Sequence, residues 1–265
     1  MAGTLERIEK DLVMLGEVVA TLHAEFYSSY SSYLQSLGQA VRQQLILASY
    51  HICTQGYPDA FVRLPFSGRQ QLQKSLREMA EQAQTQLRLL VENTSGGQES
   101  QSDATNAIAS TINPSTIKNP EELGNKIEKL EEAIAQTLQQ LSRNSNRLLQ
   151  QSGILPSQLP EEVLEVAAQA GASGENVLGQ PNLLNLVMET ENPQEPESAK
   201  ITQILAIRLR LSEIEFADTS VMANRNQIRQ LASRLSTIRR EYHKKQRERT
   251  IAEAEAAWRS SWFEE

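Results

Sequence analysis

Residues 4–26 read TLERIEKDLVMLGEVVATLHAEF. Leu5, Ile8, Leu12, Leu15, Val19, Leu22 and Phe26 recur at alternating spacings of three and four, the a and d positions of a heptad, with charged residues interspersed. A strand would alternate every second residue, so this stretch predicts a coiled-coil-forming helix. After Phe26 the phase slips, and the stripe resumes as Tyr30, Leu34, Leu37, Val41, Leu45, Ala48 and Ile52. Such a slip relaxes supercoiling without ending a helix, so one helix is expected from about Thr4 to Cys53. At roughly 1.5 Å per residue it is a rod of about 75 Å. The run from Tyr27 to Tyr33, which alternates tyrosines with serine pairs, lies at the slip. It is expected as a loosely packed part of the seam rather than a partner contact or a phosphorylation site.

Composition agrees with rods. Of 265 residues, 5% are aromatic, 39% are hydrophobic and only 12 are glycine, and mean hydropathy is −0.45. Narrow apolar seams fit those values better than a thick globular core. A net charge of −7 argues against the whole molecule being a general nucleic-acid binder. The single cysteine, Cys53, permits no internal disulfide and fits a reducing compartment. No secretory leader is legible, and the run Leu12 to Leu22 is too short to span a bilayer. A cytoplasmic protein is expected, or one peripheral to a membrane.

Proline and glycine parse the rest. Residues 1–92 read as the long helix plus a returning helix, an αα-hairpin, whose second arm carries Leu72, Leu76, Met79, Ala83, Leu87 and Leu90 after a Ser67/Gln70 capping box. Residues 93–119 read as a flexible polar linker. Residues 120–190 read as a helix plus two short helices: Asn119-Pro120-Glu121-Glu122 starts the first, and Pro160 to Ala170 and Pro181 to Met188 form the others. Residues 191–198, with Asn192-Pro193-Gln194-Glu195-Pro196, read as a linker. Residues 199–265 read as a long basic helix, because no proline follows Pro196 and no glycine follows Gly179. Two seams are expected there, Ile204 to Val221 and Ile228 to Tyr242, with Asp218 and Arg225 as polar residues on seam positions. The expected class is therefore all-α, an elongated helical bundle or antiparallel coiled coil with two long rod-like helices.

Motifs for chemistry are missing from this pattern. His51 and Cys53 are two residues apart, so on a helix they point in different directions and make a poor Cys–His dyad. Zinc needs about four convergent ligands, and none accompany them. No Walker loop, His-Glu-x-x-His or Gly-x-Gly-x-x-Gly occurs. No catalytic, cofactor or metal residue is assigned, and no enzyme activity is expected.

Charge is uneven. Residues 197–265 hold 13 basic and 10 acidic residues, and 225–249 alone hold nine basic and two acidic. Arg239, Arg240, Lys244, Lys245, Arg247 and Arg249 form the densest part. One reading is a phosphate-binding helix for nucleic acid or anionic lipid. The favoured one pairs this face with acidic helices of the same molecule, such as 120–135. Beyond it stand both tryptophans, Trp258 and Trp262, with Phe263 beside them. They either cap the bundle or dock into a partner's groove.

The stretch Leu37-Gly38-Gln39-Ala40-Val41-Arg42-Gln43-Gln44-Leu45, with Cys53-Thr54-Gln55-Gly56-Tyr57-Pro58 and the segment Trp258 to Glu265, resembles uncharacterised helical proteins of cyanobacteria. That likeness covers about a third of the chain; it implies a bacterial cytoplasm and brings no function or site residue. The expected function is a non-catalytic scaffold or adaptor, with protein partners and a homo-oligomer or hetero-complex. The alternative is nucleic-acid or anionic-membrane binding through 225–249.

Overall fold

The structure, a computed structural model, describes residues 2–95, 117–156, 180–192 and 195–262. Its helices are α1 (Ala2–His51), α2 (Pro58–Arg63), α3 (Phe66–Ser95) and α4 (Pro120–Gln151). An antiparallel hairpin of β1 (Leu183–Asn192) and β2 (Glu195–Ile207) follows, then α5 (Leu211–Ala217) and α6 (Thr219–Trp262). The class is all-α, with this two-stranded sheet the one exception among the described residues. Most of the linker expected at 93–119 and the short helix expected from Pro160 to Ala170 lie outside the described residues. No described helix is long and apolar enough to cross a membrane.

The chain divides into two compact units. The first joins Met1–Tyr33, Leu90–Glu132 and Ala223–Glu265. The opening heptads supply its core, with Ile8, Val19, Leu22 and Phe26 buried; Leu123 and Leu130 of α4 and Ile228, Leu231 and Leu235 of α6 are buried as well. Helix α4 starts where its cap signal lies, with the Glu121 amide donating to Asn119 Oδ1 at 2.9 Å. The tyrosine run is held more firmly than expected. Tyr30 stacks on Phe26 and donates its hydroxyl to Glu131 at 2.6 Å. Arg225 of α6 binds the same carboxylate, Nη2 to Oε2 at 3.0 Å, with its guanidinium 5.4 Å from the Tyr33 ring centre. Burial, then the bond to Glu131, pushes the Tyr30 phenol above its ordinary range, so it stays a donor. Tyr27 alone of the three is exposed.

The second unit joins Leu34–Leu89 and Ala133–Met222. Here α3 returns antiparallel along α1, as the pairs Gly38 with Gln84 and Arg42 with Glu81 establish. A Cβ at Gly38 would lie 2.9 Å from Gln84 Cγ and 3.3 Å from its Cα, so glycine lets the two helices approach. After His51 the chain makes a π-helical turn, Ile52–Gly56, followed by α2 with Pro58 in its first turn. Ser67 is not the cap of α3: the helix starts at Phe66, and the Arg69 amide donates to the Pro65 carbonyl at 3.0 Å.

Three expectations between 181 and 218 are overturned. Pro181 to Met188 is not a helix, 191–198 is not a linker, and the last helix begins not at 199 but at Thr219. Leu183 pairs with Ile207, Leu186 with Ile204 and Thr190 with Lys200, so these segments form one hairpin closed around Asn192 and Glu195. β-Branched Val187, Thr190, Ile201, Thr202, Ile204 and Ile207 lose side-chain freedom in a helix and suit a strand. Absence of proline and glycine allows a helix but does not require one. Helix α4 supplies what the hairpin's backbone needs. Asn146 donates Nδ2–H to the Ile207 carbonyl at 2.9 Å and accepts the Ile207 amide at 2.8 Å; Ser142 Oγ accepts the Leu209 amide at 3.0 Å. Asp218 is no seam residue either. Its Oδ1 accepts the Ser220 and Val221 amides at 2.8 and 3.2 Å and caps α6.

Candidate interaction surface

Helix α6 carries all the basic candidates and both tryptophans, and its inward seam decides which of them face out. Val221, Ile228, Leu231 and Leu235 are buried at heptad spacing, and Ile238 and Tyr242 continue that stripe half-buried. Cations beside the seam meet acids of the first unit. Arg234 binds Glu25, and Arg239 binds Glu121. His243 Nε2 lies 2.6 Å from the same Glu121 carboxylate. Lys245 lies 3.0 Å from Asp11 and 3.1 Å from Glu248, bonds that raise its pKa. Arg249 pairs with Glu253 along the helix at 3.4 Å. Three of the six predicted patch residues, Arg239, Lys245 and Arg249, are therefore neutralised within the chain, and Glu121 of the acidic stretch 120–135 is one of the partners.

The other three, Arg240, Lys244 and Arg247, are exposed. They sit at spacings of four and three, and Ile251, Trp258 and Trp262 follow at four, seven and four. At 3.6 residues per turn all six fall on one side of the helix, away from the seam of Ile228, Leu231 and Leu235. Trp258 is 66% exposed and Trp262 71%, their ring centroids 5.5 Å apart and tilted by 30°. Neither indole caps the bundle. Phe263 lies outside the described residues. Grouping the basic residues by density missed this ordering of cations followed by aromatics on one outward stripe. Counting each residue's offset from the seam would have found it.

His51 and Cys53 take no joint geometry. His51 ends α1, and Cys53 sits buried in the π turn, where burial pushes its thiol up to about 11. At neutral pH it is a thiol and not a thiolate nucleophile. Among the described residues no three His, Cys, Asp or Glu side chains are grouped to hold a metal. No protein-family model matches the sequence, and neither a curated protein nor a solved structure matches it.

Proposed function

We propose that this protein is a scaffold or adaptor that binds a protein partner through the outward face of α6, without catalysis of its own. The observation that carries this reading is the exposed stripe Arg240, Lys244, Arg247, Ile251, Trp258 and Trp262 on a helix that buries its seam at Val221, Ile228, Leu231 and Leu235, before the tryptophans. Exposed adjacent indoles leave a large apolar area in water, and burying them in a groove recovers it. The partner's groove has a chemistry to match: apolar where it receives Trp258 and Trp262, acidic where it receives the cations. Trp258 and Arg247 are eleven residues apart, so at about 1.5 Å per residue those two regions are separated by roughly 16 Å.

The same cations favour a second reading, an anionic lipid surface or nucleic acid. Internal pairing of Arg239, Lys245 and Arg249 leaves that reading with half of the predicted patch.

Capture from native extract with the full chain, repeated with Trp258→Ala/Trp262→Ala and with Arg240→Glu/Lys244→Glu/Arg247→Glu, tests the proposal once the captured protein is purified and its affinity measured. Loss of paired hot-spot aromatics weakens binding about 30-fold or more, with helicity unchanged. An affinity insensitive to the tryptophans rejects it. Binding to anionic vesicles or nucleic acid that falls steeply with salt, in the absence of any protein partner, selects the second reading.

A further inference from the structure

The second unit holds a cleft of about 290 Å³. Its origin is local. Helix α1 passes into the π turn, α2 is only six residues long, and residues from the end of α1, the π turn, α2 and the start of α3 line the cleft. π-Helical turns are uncommon and are often found at functional sites. Leu72, Leu76 and Cys53 are buried on the inner wall, and Ile46 and Tyr50 stand at the mouth 41% and 56% exposed.

The polar groups of the cleft decide what it can take. Ser49 gives its hydroxyl proton to the Leu45 carbonyl at 2.7 Å, and Thr54 gives its own to the Tyr50 carbonyl at 2.7 Å. Both hydroxyls are thus spent on the helix backbone. Burial keeps the Cys53 thiol neutral. What remains is an apolar interior with one charged lining residue, the exposed Arg77, beside Gln73. A second guanidinium, that of Arg69, lies 6.0 Å from the ring centre of Phe61, itself on the cleft wall. An apolar cavity of about 150 Å³ is enough to hold a benzene ring, so this one has room for an alkyl chain or a fused ring.

We propose that this cleft binds a small amphipathic carboxylate, with its apolar body against Leu72, Leu76 and Cys53 and its head group on Arg77. Apolar walls supply the affinity, and a single cation at the mouth fixes orientation and charge preference. The site is independent of the α6 stripe, so either proposal stands or falls without the other.

Cys53 gives the test a built-in reporter, because it is the chain's single cysteine and lies on the cleft wall. The full-length protein is titrated with decanoate, decanol and decylamine, each below its micellar concentration, by calorimetry. Alkylation of Cys53 by N-ethylmaleimide is timed with and without each compound. The expected result is one-to-one binding of decanoate, at least about tenfold tighter than decanol or decylamine. Saturating decanoate slows the alkylation. Arg77→Glu, a change at an exposed position, lowers the decanoate affinity about tenfold or more with helicity preserved. Unprotected Cys53 in saturating decanoate overturns the site. Equal binding of decylamine or decanol, or an Arg77→Glu protein that binds decanoate as the original does, overturns the anionic head group.

Discussion

Asn182 ties together three segments of the second unit. It is fully buried and adopts φ 62°, a conformation that asparagine tolerates better than most side chains. Its side chain donates to Gln44 at 2.9 Å and accepts the Arg210 amide at 3.1 Å, and its carbonyl accepts the Arg208 amide at 2.9 Å. Its own amide donates to Glu213. Asn182→Ala loses both side-chain bonds and keeps the unfavourable φ, so urea denaturation is expected to show a loss of about 2–3 kcal/mol. Asn182→Gly relieves the φ while losing the same bonds, and it is expected to cost measurably less. A larger loss for glycine would reject this account of the site. Nothing at 182 in the sequence announces the role, because Asn182's partners come from α1, from the residues after β2 and from α5. By contrast Asn119 and Pro120 were legible, because cap and proline act on their own helix.

Packing between elements follows the same division. The seams of α1 and α3 were readable because apolar spacing and burial are the same fact seen twice. Leu34, Leu37, Val41, Leu45, Ala48 and Ile52 are all buried. The hairpin was not readable, because its strands were judged by missing helix breakers and not by their β-branched content. Ser142 and Asn146 of α4 serve the backbone of β2 and the residues after it, partners that the α4 pattern by itself does not announce. Between α4 and α6 the half-buried Arg225–Glu131 pair carries the largest expected cost. Glu131→Ala leaves Arg225 and the Tyr30 hydroxyl without that carboxylate, a loss of about 3 kcal/mol in denaturation. Glu131→Leu with Arg225→Met is expected to regain most of it, and a double variant as unstable as the single one would contradict that. His23 of α1 adds a pH dependence. Burial lowers its pKa below 6.5, Lys126 lowers it further, and Glu122 opposes them. As pH falls through about 6.5 the unfolded chain takes up a proton that the folded chain resists, so this group lowers stability toward acid. His23→Gln is expected to flatten the stability profile between neutral pH and the lowered value. An unchanged profile would show that the decline arises elsewhere.

For the whole molecule, charge and aromatics tell different halves of the story. A chain of net charge −7 with a basic segment uses part of that segment on its own acids: Asp11, Glu25, Glu121 and Glu131 each meet a cation of α6. Local charge density therefore overstated the surface available to phosphate. The tryptophans stand out in the sequence by their clustering, which leaves open whether they face inward or outward. Their position settles the direction and motivates the docking reading, which rests on what they do when a partner arrives. The protein's two tryptophans both lie on this face, so its tryptophan fluorescence reports on nothing else. The most direct measurement is acrylamide quenching of that fluorescence in dilute full-length protein, alone and with its purified partner. Quenching close to that of a free indole is expected in the protein alone, with strong protection and a blue shift in the complex. Protection already present in the isolated monomer, or quenching unchanged by the partner, would contradict it.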